Sequence, residues 1–120
     1  MAKLVIEISH APFGHENAYS GLFAAMGWVS VGNEVLVVLR GDGVHVARKG
    51  QVDSLSEISL PPTEKQVMDV LGEGGRIVAE RRSLEARGIE EDVMIEGIEV
   101  LEIDAIHLLM LEEGERVLTF

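Results

Sequence analysis

Chemistry in this chain has few places to start, because the sequence contains no cysteine. A thiolate nucleophile, a thiolate metal site, a disulfide and a persulfide are all excluded for this polypeptide. What remains is a small set of polar and aromatic side chains that follow apolar runs. Ser9-His10-Ala11-Pro12-Phe13-Gly14-His15-Glu16 follows the first run, Gly41-Asp42-Gly43 the second, and Glu80 ends the third. His10, His15 and Glu16 carry donor atoms for a metal. Their spacing is not the i, i+4 pair that sets two histidines on one helix face, and no third histidine is near. Ser9 beside His10 has the residue types of a nucleophile and its base, but neighbours at a strand end point in different directions. No G-x-S-x-G elbow is present, and the phosphate cradles G-x-G-x-x-G and G-x-x-x-x-G-K are missing. Asp42 between two glycines suits a tight turn as well as a ligand contact. His45 and His107 read as ordinary surface or packing residues. No metal and no cofactor is called for, and no reaction is expected of the chain by itself.

These residues act together only if the fold gathers them, so the elements around them matter. Leu4–Ile8 is a short apolar strand broken by Pro12 and Gly14. From Glu16 onward Tyr19, Leu22, Phe23, Met26 and Val29 recur at three- and four-residue steps, which predicts one face of a helix ending near Gly32. Gly21 and Gly27 weaken its propensity, and close packing against a neighbour is expected at one or the other. Tyr19 and Trp28 read as core residues or as part of an oligomer interface. Val35–Leu39 is continuously apolar and rich in valine, as expected of a strand covered on both faces. Gly41-Asp42-Gly43 ends it in a turn, residues 44–49 lean to helix, and residues 50–60 read as a loop. Pro61-Pro62-Thr63-Glu64-Lys65-Gln66 opens a helix in which Thr63 caps and Gln66 reaches back. Val67, Val70 and Leu71 give its stripe, and Gly72, Gly74 and Gly75 stop it.

Arg76–Ala79 predicts a third strand, residues 80–87 a helix, and Gly88 a left-handed C-terminal cap. Residues 93–95 and 98–101 flank Glu96-Gly97 and form one strand or strand-like edge. Ile103, Ala105, Ile106, Leu109 and Met110 predict a last helix, and residues 115–120 a final strand. Such alternation predicts an α/β fold, a three-layer α/β/α sandwich on a mostly parallel sheet of about five strands with right-handed crossovers. Open sheets of this kind bind ligands beyond the carboxyl ends of their strands. The expected pocket is therefore His10, Phe13, Gly14, Asp42, Gly43 and Glu80.

A chain of 120 residues fits one domain, 1–120, with a real core. No apolar run reaches the roughly 18–20 residues of a membrane span. The N-terminus reads as a strand and not a secretory signal, so a cytoplasmic protein is expected. The net charge of −11 is placed unevenly. Residues 1–50 hold four acids and four bases, which leaves seventeen acids and six bases of the totals for 51–120. An acidic surface repels phosphate backbones, so direct nucleic-acid binding is not expected. That surface is either a docking face for a basic partner or a solvated Glu-rich face.

Four stretches in order along the chain resemble the DsrE/DsrF family, and most closely its DsrF/TusC branch. They are Pro12-Phe13-Gly14 followed by Ala18 and Gly21-Leu22; Asp42-Gly43-Val44; Ser83-Leu84-Glu85-Ala86-Arg87-Gly88-Ile89; and Arg116-Val117-Leu118-Thr119-Phe120. Each is short, and their order along nearly the whole chain carries the resemblance. It implies an α/β/α fold and a subunit of a sulfur-relay complex that assembles with homologous subunits, as homo- or hetero-oligomers, often trimers or hexamers. Carrier members hold a persulfide on a cysteine after the third strand, and an ungapped placement puts Glu80 there. The carrier role therefore does not transfer, and the non-carrier branch fits better. The resemblance implies a scaffolding or regulating subunit for a cysteine-bearing partner. A stand-alone oligomer with a small-ligand pocket is the alternative reading. Glu80 also has a simpler role open to it, as a carboxylate near a helix N-terminus.

Overall fold

A computed structural model describes residues 2–13, 16–50 and 62–120. Gly14, His15, residues 51–60 of the loop expected over 50–60, and Pro61 lie outside the described residues. Five strands, β1 (Lys3–Ile8), β2 (Glu34–Leu39), β3 (Arg76–Glu80), β4 (Glu99–Leu101) and β5 (Arg116–Thr119), form one sheet in the order β4-β3-β2-β1-β5. Every pairing is parallel, so the sheet is wholly parallel. Among the described residues four α-helices accompany it, α1 (Asn17–Ser30), α2 (Thr63–Gly72), α3 (Arg81–Ala86) and α4 (Ile103–Glu113), with 3-10 helices over Gly41–Ala47 and Glu91–Val93.

The sheet separates two apolar layers. Ile6, Ile8, Val37, Leu39, Ile77 and Ala79 face α1 and α2, together with Val44, Val67 and Val70. Val5, Leu36, Val38 and Val78 face the other way, against Ile106 of α4. Successive residues of β2 thus enter opposite layers, and all of Val35–Leu39 is buried. Its unbroken hydrophobicity follows from having no solvent face. The first four strands run in sequence toward one edge, and the chain then returns to the far side of β1. α4 makes that return, packed across β1, β2 and β3.

Four local expectations are corrected. The buried stripe of α1 is Ala18, Gly21, Leu22, Ala25 and Val29, while Phe23 is 64% exposed. Small side chains face the sheet there because the helix lies close to β1. A Cβ on Gly21 would sit 3.1 Å from the Ile8 side chain and 3.2 Å from the Phe120 ring, whereas Gly27 has nothing within 4 Å. The α2 capping box does not form. Pro62 is the N-cap, no side chain caps the helix, and Thr63 is buried at its first position. Gln66 turns instead to the Tyr19 carbonyl, 3.4 Å from its Nε2. On α4, Ala105 faces solvent and only Ile106 is fully buried. Residues 93–95 do not join a strand. Met94 forms an isolated bridge to Arg48, Ile95 N–H donates to the Ala47 carbonyl at 2.8 Å, and the strand proper is Glu99–Leu101. Gly88 does take the left-handed conformation, with φ +66°.

Candidate functional site at the strand carboxyl ends

The carboxyl ends of β1, β2 and β3 lie side by side, and the segments that leave them are locked together. β2 runs into the 3-10 helix through Gly41-Asp42-Gly43. Gly43 N–H donates to the Arg40 carbonyl at 2.9 Å, and Arg40 N–H donates to the Ile8 carbonyl at 3.2 Å. This turn presses onto the end of β1 so tightly that a Cβ on Gly43 would lie 1.9 Å from the Ile8 carbonyl oxygen. Glycine is the only residue with room there.

β3 ends at Glu80 and α3 begins at once. Ser83, buried on its first turn, accepts the Gly41 N–H at 2.9 Å and donates to Glu80 Oε1. One helical turn later Arg87 donates from Nε to Asp42 Oδ1 at 2.9 Å and from Nη1 to the Ser83 carbonyl at 3.1 Å. Asp42, Gly43 and Glu80, expected to share a pocket, are thus joined through Ser83 and Arg87. Phe13, 55% exposed, reaches the same group through His45, with ring centroids 5.7 Å apart and planes tilted by 55°. Burial, assisted by the Arg48 charge, holds the His45 imidazole below its usual pKa against the opposing pull of Asp42, with Arg87 lowering it further. The surroundings therefore favour the neutral ring.

His10 belongs to the β5 side of this end. Its Nδ1 lies 2.9 Å from the Phe120 carbonyl oxygen, which also accepts the Ser9 N–H at 3.2 Å. Gly14 lies outside the described residues. Sequence reasoning passed over His45 as a site residue and used Ser83 and Arg87 only as pieces of a resemblance. Their i, i+4 spacing, which aims both at one side of α3, was the available signal. Among the described residues no group of three metal-ligating side chains comes together. A cleft of about 640 Å³ exists elsewhere, lined by Lys49, Glu91, Met94, Gly97 and Val100 among others, and includes none of these residues.

The model of the DsrE/DsrF-like family matches residues 2–120. The chain belongs to this family. An uncharacterized protein of Methanocaldococcus jannaschii, MJ0989, is 30% identical over 118 residues, 98% of this chain and 99% of its own length. MK0008 of Methanopyrus kandleri, also uncharacterized, is 32% identical over 97 residues, covering 81% of this chain and 77% of its own. Among solved structures the ychN protein of E. coli superposes with a TM-score of 0.84 at 21% identity, over all of both chains. MTH1491 of Methanobacterium thermoautotrophicum, a protein of unknown function, gives 0.78 at 18% identity, again over all of both chains. The fold of this DsrE/DsrF-like chain is thereby that of its structural neighbours. Two of its four segments of resemblance meet in space: Asp42-Gly43-Val44 is the turn on β1, and Ser83 with Arg87 holds that turn from α3. Among the described residues no helix is long and apolar enough to cross a membrane.

Proposed function

We propose that this chain is a non-carrier subunit of a DsrE/DsrF-type assembly, of the DsrF/TusC kind, that positions a homologous, cysteine-bearing subunit and does no covalent sulfur chemistry itself. The observation that carries the reading is the occupant of the β3 end. Where the resemblance puts the carriers' thiol stands Glu80, engaged by Ser83, in a sequence without cysteine. A carboxylate cannot hold sulfane sulfur, and the residues around it are bonded to one another. Such a network fixes the shape of a surface, which suits contact with another subunit. Gentle isolation of the tagged chain from its own cell tests this. A thiol-bearing homologue of similar size should accompany it, and recovery of this chain alone argues against the reading.

A second reading is favoured by the exposed Phe13 ring against His45, an imidazole that also feels the Asp42 carboxylate. A stand-alone oligomer binding a small ligand there should gain thermal stability from a nucleotide, a metal ion or a sulfur oxyanion. That gain should fall in Asp42→Asn and Glu80→Gln. A flat response in all three proteins removes this alternative.

A further inference from the structure

The two edges of the sheet are built differently. The β4 edge is three residues long and charged. Glu99 takes both Arg76 Nε and Nη2, at 2.6 and 2.9 Å, and Glu102 just beyond takes Arg81 Nε at 2.7 Å. Short, charged edges resist the addition of another strand. The β5 edge lacks this protection. All four of its residues are exposed, its one charge is Arg116 at the start, and it has no proline.

The register shows that its apolar side chains point both ways. Val117 pairs with Val5 and Leu118 with Ile6. Val5 faces the α4 layer and Ile6 the α1 layer. Val117, 45% exposed, therefore lies on the α4 face, and Leu118, 43% exposed, on the α1 face. On the α4 side Val117 continues into an apolar groove of about 460 Å³ with His107, Met110, Leu111 and Gly114. A partner resting on one face would cover one of these side chains and leave the other in water. A strand added to the edge covers both and pairs the outward N–H and C=O groups as well.

We propose that β5 pairs antiparallel with β5 of a second copy of this chain, joining two sheets into one continuous sheet across a two-fold axis. The strand is compatible with itself. A two-fold normal to the sheet keeps each face on its own side, and residues directly opposite one another must share a face. The registers of greatest overlap then set Leu118 against its symmetry mate, with Val117 opposite Thr119, or Val117 against its mate, with Arg116 opposite Leu118. Both place an apolar pair on the axis, and neither opposes like charges. That matters for a chain of net charge −11, whose copies repel elsewhere, and the strand itself holds no acid.

The inference rests on the oligomeric reading above and adds that the assembly holds this chain in pairs. The test uses the absence of native thiols. Leu118→Cys and Val117→Cys, prepared separately and treated with a mild oxidant, place one thiol per chain beside or on the axis. Expected is a covalent dimer from at least one of them, and none from Glu99→Cys on the β4 edge. Leu118→Lys should halve the solution mass seen by sedimentation velocity while leaving the far-ultraviolet circular dichroism unchanged. A wild-type oligomer whose mass survives Leu118→Lys, with neither β5 cysteine cross-linking, overturns the edge inference and leaves the assembly reading standing. A wild-type chain that is monomeric at all concentrations, alone and with its homologues, overturns both.

Discussion

Replacing Gly43 by alanine puts a methyl group where the Ile8 carbonyl already is. The added Cβ would stand 1.9 Å from that oxygen and 2.6 Å from its carbon, so the turn must move by more than 1 Å to reach even a 3.0 Å contact. Neither side yields easily. Ile8 is fully buried, and its carbonyl is held by the Arg40 N–H while the Arg40 carbonyl is held by Gly43. Overpacking of this kind costs about 1–3 kcal/mol, and backbone against backbone belongs at the upper end. The entropy lost from the unfolded chain on Gly→Ala returns about 0.4–1 kcal/mol. The net loss is then about 2 kcal/mol, which for a domain of this size lowers Tm by roughly 8 °C. Gly27→Ala is the control. It sits in a helix with open space around it and should raise Tm by roughly 4 °C, since alanine is favoured there by about 1 kcal/mol. Differential scanning calorimetry of the three proteins reads both effects. A Gly43→Ala protein melting within 2 °C of wild type would refute the close approach on which the site's geometry depends.

Ser83→Ala leaves the Gly41 N–H without its acceptor. It should destabilise by about 1–3 kcal/mol and speed amide hydrogen exchange at Gly41, whereas unchanged exchange would mean that this bond does not form in solution. His45 gives a pH dependence: its folded pKa is lowered, so the folded state binds fewer protons than the unfolded one below the ordinary imidazole value near 6.5. Stability from this group is whole above about pH 6.5 and declines as pH falls from there. A His45→Gln protein should lose part of that decline between pH 7.5 and 5.5, and identical profiles would contradict the assignment. Glu99 is held below the usual carboxylate range by its hydrogen bonds from Arg76, so its contribution is present above the unfolded value and lost as pH falls through the folded one. The pair is half exposed, so Glu99→Gln should cost no more than about 1 kcal/mol at pH 7. A loss several times larger in urea titrations would show that the β4 edge depends on this pair more than its exposure suggests.

The central strands were readable because burial on both faces leaves a plain trace. Val35–Leu39 has no polar position to spare, and a strand with no solvent face is what such a run requires. The orientation of α1 was readable only in part: Leu22 and Val29 lie against the sheet as expected, but so do Ala18, Gly21 and Ala25. A pattern weighted toward large side chains points instead to Phe23, which faces solvent. The capping box at Thr63 failed for a tertiary reason: burying Thr63 and turning Gln66 to Tyr19 won over a local motif. At the site, the turn chemistry of Asp42-Gly43 and the strand-end position of Glu80 were visible locally. The roles of Ser83 and Arg87 were not, since their partners at Gly41 and Asp42 lie more than forty residues away. That pairing follows from the parallel adjacency of β2 and β3, which only the fold supplies. The partner of His10 was not legible for the same reason, because Phe120 arrives with β5 from the far end of the chain.

The most direct test concerns where the sulfur sits. The assembly should be isolated with this chain tagged, supplied with a persulfide donor, and each subunit weighed by intact-mass spectrometry under non-reducing conditions. The expected result is a thiol-bearing homologue that gains sulfur while this chain keeps its sequence mass. A sulfur adduct on this chain, or an assembly containing no other subunit, would contradict the account.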